Sequence, residues 1–215
     1  LWNHVWGSWW WHHTLINGEL PWELTLLHYP NGGTLWFIDP VLALLGIPLS
    51  FVHPAFAYNV SIWLYLAFAS WAARRFAVSL GASSSASWVA SIVFVASAWT
   101  ISEIHNGITE AVNIGPVALA LAWTEDAVRE RLTPFRAWIK AGFGIGLATI
   151  ASPYLGLGVG IAAAIRSLHR IHYAWLGAIV TIVVSFPSLL IFRAQLHAEN
   201  AIIKRPVQHK GHTKP

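Results

Sequence analysis

Residues 11–40, WHHTLINGELPWELTLLHYPNGGTLWFIDP, hold His12, His13, Glu19, Glu23, His28 and Asp39 without a single lysine or arginine. Neutral imidazoles and carboxylates are the donors that zinc, magnesium or manganese accept. His12 and His13 are adjacent, so on a helix they point about 100° apart and do not face one ion together. A second group, SEIHNGITEAVN (102–113), brings together Glu103, His105, Asn106, Glu110 and Asn113, again with no cation nearby. Glu103 and Glu110 are the candidate catalytic acid and base, since paired carboxylates suit proton transfer. His28, Tyr29, His105 and Asn106 are candidate substrate contacts, and Glu19 with His105 is the candidate ligand pair for a divalent cation (Mg, Mn or Zn). The bland alternative is that all of these are solvated in loops. A tetrapyrrole would need a buried axial ligand, but 54–73 and 86–101 contain no histidine.

The elements that must carry these residues are apolar. Hydrophobic residues make up 56% of the 215 and charged residues 10%, and mean hydropathy is +0.54. Those values exceed what a soluble domain with a polar exterior shows, so the expected class is an all-α, polytopic membrane helix bundle. The 13 lysines and arginines sit in short clusters between apolar runs, the pattern of membrane loops rather than of a nucleic-acid surface. With no cysteine, disulfides and thiolate chemistry are excluded.

A spanning helix takes about 20 mostly apolar residues. Segments 54–73, 86–101 and 173–192 meet that requirement, and 108–123 comes close, with Pro116 read as a kink. Segment 141–165 is interrupted by ASPYLG. Charge favours reading it as two short helices, because Arg74, Arg75, Arg129, Arg131, Arg136, Lys140, Arg166 and Arg170 then all fall on one, cytoplasmic, side. Residues 1–53 become an external loop with interfacial helices, 54–192 a bundle of about five or six short spans, and 193–215 a polar tail or the start of another external loop. Residues 35–52 carry Asp39-Pro40, Gly46 and Pro48, so a helix lying in the interface is expected there instead of a span. The tryptophans of LWNHVWGSWWWHH read as an interfacial belt, and the glycines of AGFGIGLATIASPYLGLGVG (141–160) as close helix packing. Phosphate-loop, dinucleotide and zinc-helix motifs are absent. Opening at Leu1 and closing on polar residues, the chain is expected to be a piece of a longer protein.

From Tyr29-Pro30-Asn31-Gly32, through the apolar Leu42 to Leu49, to Ala57-Tyr58-Asn59, the sequence resembles the bacterial C-type glycosyltransferases, which take sugars from polyprenyl-phosphate donors. SWVASIVFVASAWTISEIHNG, PVALALAW, a basic loop and AGFGIGLATIASPYLGL continue that pattern over nearly the whole chain, although each motif is degenerate. The resemblance implies residence in a bacterial inner membrane, a basic aspartate upstream of Leu1, and a second acidic position matching Glu103 best and Glu110 next. It also implies donor-phosphate contacts near Arg193, Lys204 and Arg205 if that tail is external. Two other classes compete. A non-catalytic subunit would use the same tryptophans and small-residue helices to scaffold a larger membrane complex with partner subunits. A transporter would need ionisable residues along its spans, and these are scarce.

Overall fold

Prolines and polar caps set where the helices begin in the computed structural model, which describes residues 2–26, 32–35, 39–131 and 133–197. Helix α1 (Trp2–Ile16) leads through two short strands, β1 (Glu23–Leu24) and β2 (Gly33–Thr34), paired antiparallel with Glu23 opposite Thr34, into α2 (Pro40–Ser50). Pro40 and Pro54 each open a helix, where a missing N–H costs nothing. Asp39 caps α2 through the Leu42 amide (3.1 Å), and His53 Nδ1 caps α3 (Pro54–Leu80) through the Ala55 amide (3.2 Å). Helix α3 ends at Gly81, whose φ of 102° is the left-handed closure that favours glycine. Ser83 then caps α4 (Ser84–Val95), and Ser97 caps α5 (Ala98–Asn106). A single turn, α6 (Thr109–Val112), precedes α7 (Gly115–Val128); α8 (Pro134–Ala151), α9 (Pro153–Ser167) and, after a tight 3-10 turn over Leu168–Tyr173, α10 (Ala174–His197) are the last of the described elements.

Helices α3, α4, α7, α8, α9 and α10 alternate in direction, with α5 continuing the course of α4. Phe68 and Ala69 lie against Gly115, and Arg75 pairs with Asp126, so α3 and α7 run the same way. The Arg74 guanidinium lies over Trp88 of α4, 4.4 Å from the indole centroid, and Phe94 farther along α4 packs in the cluster of Phe68 and Ala72, so α4 runs antiparallel to α3. Gly144 packs on Ala120, and Trp138 on Ala127 and Val128, so α8 returns antiparallel to α7. Gly156 meets Thr149 across the α8–α9 turn, and Thr181 of α10 donates to the Gly142 carbonyl at 3.1 Å. The result is all-α apart from the two-residue strands. Two stretches, Ser84–Asn106 and Ala174–His197, are long and apolar enough to cross a membrane.

The 141–165 stretch is two helices: Ser152 ends α8 in extended conformation and Pro153 starts α9. Arg74, Arg75, Arg129, Arg131, Arg136, Lys140 and Arg166 consequently sit toward one end of the bundle. Two buried carboxylates hold that end together. Glu125 takes Arg129 and Arg166, and Asp126 takes Arg75 and, at 3.9 Å, Arg131.

Other details depart from the sequence reading. Pro116 falls in the first turn of α7 and starts that helix instead of kinking one. Helix α2 follows α3 rather than crossing it: Asp39 bonds to Tyr65 and Gly46 faces Ala57, an antiparallel hairpin. Trp10 and Trp11 are buried with Leu24 and Ala43 in the core between α1, α2 and the strands, because the Trp10 indole donates to the Pro21 carbonyl at 2.8 Å. They pack inside the protein, whereas a belt would leave them outside.

Candidate functional site

Helix α3 is 27 residues long, about 40 Å at the usual rise. Near its midpoint two other helices begin: α2 at Asp39, beside Tyr65, and α7 at Gly115, against Phe68. The backbone break between α6 and α7 is buried there, with Val112 0%, Asn113 2% and Ile114 7% exposed. Irregular backbone in a packed interior needs polar partners, and a cluster of polar side chains supplies the setting.

Asp39 is fully buried, and its Oδ1 accepts from the Leu42 amide and from the Tyr65 hydroxyl at 2.7 Å. Its Oδ2 has no hydrogen-bond partner. Burial pushes the carboxyl up to about 6; the Tyr65 hydroxyl, the Leu42 amide and the nearby Thr109 hydroxyl hold it down, and the Glu110 charge adds to the rise. Thr109 Oγ1 lies 3.0 Å from His4 Nδ1, and His4 Nε2 lies 3.7 Å from Glu110 Oε2. Burial keeps the His4 imidazole below its ordinary value, although Glu110 pulls the other way. Glu110 Oε2 and Asn113 Nδ2 are also buried without a hydrogen-bond partner. Asp39 Oδ2 from the start of α2, and Glu110 Oε2 and Asn113 Nδ2 from α6 and its C-terminal cap, thus carry no hydrogen bond, although Glu110 Oε2 keeps the His4 ring within ion-pair range.

Beside this cluster opens a groove of about 330 Å³, walled by Val41, Leu45, Leu64, Phe68, Pro116 and Leu147, with Tyr65 and Asn113 as its polar residues. Tyr65 thus belongs both to the acidic cluster and to an apolar slot. The arrangement can seat a molecule with a greasy chain and a hydroxylated or otherwise polar head.

Of the residues singled out by sequence, Asp39, Glu110 and Asn113 meet here. Glu103, on α5, is half-buried; its carbonyl closes the helix by accepting from the Ile108 amide at 3.0 Å. His105 and Asn106 are exposed on the same helix, and Arg193 is exposed on α10. Glu19 is exposed in the turn after α1, Glu23 is exposed on β1, and His13 stacks on Trp9 with ring centroids 5.2 Å apart. His12 meets the edge of Phe51. His28, Tyr29 and Arg205 lie outside the described residues, as do Pro30 and Asn31 of the Pro-Asn-Gly-Gly turn. Among the described residues no three His, Asp or Glu side chains are arranged to hold a metal ion.

Sequence reasoning missed His4, Tyr65 and Thr109, which are ordinary residues on apolar helices until the fold joins them. It also treated Asp39-Pro40 as an interruption, although a polar residue before a proline is the signature of a capped helix start. No protein-family model matches the chain, and neither a curated protein nor a solved structure does.

Proposed function

We propose that this is a polytopic integral membrane protein of the bacterial cytoplasmic membrane. In this reading it is a C-type glycosyltransferase, moving a sugar from a polyprenyl-phosphate donor to an acceptor on the face opposite the basic end. The observation that carries the reading is the buried Asp39, with the half-buried Glu110 beside it, set against an apolar groove near the midpoint of α3. Helix breaks inside a bilayer are tolerated where they are buried in protein or line a cavity, and the α6–α7 break does both. Outward faces support the membrane setting: Trp63, Val93, Ile182 and Val183 are all more than half exposed, a surface that water penalises and lipid does not.

In this reading the groove takes the donor's chain and the carboxylates face the reacting end. The acceptor hydroxyl attacks the anomeric carbon, its proton passes to a carboxylate, and the bond from the sugar to the phosphate oxygen breaks, with the lipid phosphate leaving. The resemblance assigns the base to an aspartate upstream of Leu1 and a second acidic role to Glu103; the cluster favours Glu110 with Asp39 for that second role. Transfer from a radiolabelled polyprenyl-phosphate sugar, measured in membranes carrying the full-length protein, tests this. Asp39→Asn and Glu110→Gln are expected to lower the rate by about 100-fold or more, the usual contribution of a positioned acid–base group. Glu103→Gln ranks the two glutamates. Wild-type rates in both Asp39→Asn and Glu110→Gln overturn the site, and no transfer by the wild type overturns the activity in favour of a scaffolding subunit.

A further inference from the structure

The end of the bundle remote from Asp39 does nothing in that chemistry, yet it is the most charged part of the described chain. Seven cations gather there, Arg74, Arg75, Arg129, Arg131, Arg136, Lys140 and Arg166, against three carboxylates, Glu125, Asp126 and Glu130. Four of the arginines are spent on the buried Glu125 and Asp126. Arg129 and Arg131 also donate to the Leu80 and Val78 carbonyls at 3.4 and 3.2 Å, closing the end of α3. That network ties α3, α7 and α9 to one another. Arg136 and Lys140 are outside it; they are exposed one turn apart on the same face of α8, and neither forms an ion pair among the described residues. Arg74 lies over Trp88, with its Nε lacking a hydrogen-bond partner.

A second observation locates these charges. Trp71, Trp88, Phe135, Tyr173 and Trp175 are all exposed; Tyr173 closes the 3-10 turn between α9 and α10, and the others lie on the last turns of a helix arriving at this end or the first turns of one leaving it. Aromatic rings favour the level where acyl chains give way to headgroups, and arginine and lysine reach past them to the phosphates. Rings and unpaired cations therefore mark one layer around the rim.

We propose that this rim binds anionic phospholipid headgroups of the leaflet it faces, with Arg136 and Lys140 as the principal contacts and Arg74 as a second one. The proposal rests on the membrane reading above but not on the glycosyltransferase activity. Each basic side chain near an anionic bilayer surface strengthens association about fivefold, by the usual ~1 kcal/mol.

The test reconstitutes the full chain in vesicles of phosphatidylcholine alone and of an equimolar mixture with phosphatidylglycerol. Association of spin-labelled phosphatidylglycerol and phosphatidylcholine with the protein is then compared by electron paramagnetic resonance. The wild type is expected to prefer phosphatidylglycerol several-fold, the preference falling with added salt, and the Arg136→Gln/Lys140→Gln double variant is expected to lose most of it at unchanged helix content. Equal association of both lipids with the wild type, or an undiminished preference in the double variant, overturns the proposal. Failure of the chain to enter either vesicle overturns the membrane reading itself.

Discussion

Asp39 carries opposite demands. It caps α2, which needs its oxygen, and it is buried without an opposite charge, which disfavours its ionised form. With the carboxyl raised from 3.8 to about 6, the folded protein binds the proton more tightly than the unfolded chain does. The Asp39 contribution to stability therefore falls as pH rises between about 4 and about 6, by roughly 3 kcal/mol in all at 1.36 kcal/mol per pH unit, and does not change above that window. Denaturant unfolding in detergent across that range should show the slope in the wild type and lose it in Asp39→Asn. Tyr65→Phe removes the hydroxyl that stabilises the carboxylate. It should cost about 1.5–3 kcal/mol above pH 7, where the charge must be borne without that donor, and less below pH 5. Equal cost at both pH values would mean that Tyr65 serves packing alone.

At the scale of elements, glycine spacing in 141–160 correctly suggested close packing but not which glycines provide it. A Cβ on Gly142 would meet the Gly177 backbone, its carbonyl carbon at 2.9 Å, and neither main chain can yield. Gly158, sixteen residues on, faces open space with nothing within 4 Å. Gly142→Ala should therefore part α8 from α10 at a cost of about 1–3 kcal/mol. Gly158→Ala should stabilise α9 by up to about 1 kcal/mol through helix propensity. Thermal unfolding of the two variants side by side checks the pair, and similar shifts in both would refute the α8–α10 contact. Break points followed the same logic. Ser97 and Ser152-Pro153 divide apolar runs that read as continuous or ambiguous, because a serine oxygen or a proline offers the backbone a better alternative than another helical turn.

For the whole molecule, the alternation of α3 to α10 puts Thr133 at the basic end and Val52, next to the start of α3, at the other; both are exposed. The chain has no cysteine, so a single introduced thiol reports without background. Thr133→Cys and Val52→Cys are expected to react with an impermeant maleimide from opposite sides of sealed membrane vesicles. Labelling of both from one side would refute the bundle's topology.

Composition determined that the chain is apolar, and the lengths of its apolar runs pointed to helices; the spacing of arginines favoured a turn within 141–165, which the structure makes at Ser152-Pro153. Two acidic stretches were legible as chemistry, since carboxylates beside apolar runs are costly wherever they sit. Which of those carboxylates meet was decided only by tertiary structure. Asp39 and Glu110 are 71 residues apart in sequence and become neighbours because two helices start at the same level of α3. Glu103, the better match by resemblance, remains on another helix. The buried Glu125 and Asp126 were equally invisible: their four arginine partners come from α3, the turn after α7, and α9. Local pattern shows that a charge exists, but only the packing of distant helices decides whether it is solvated, paired or left facing a groove.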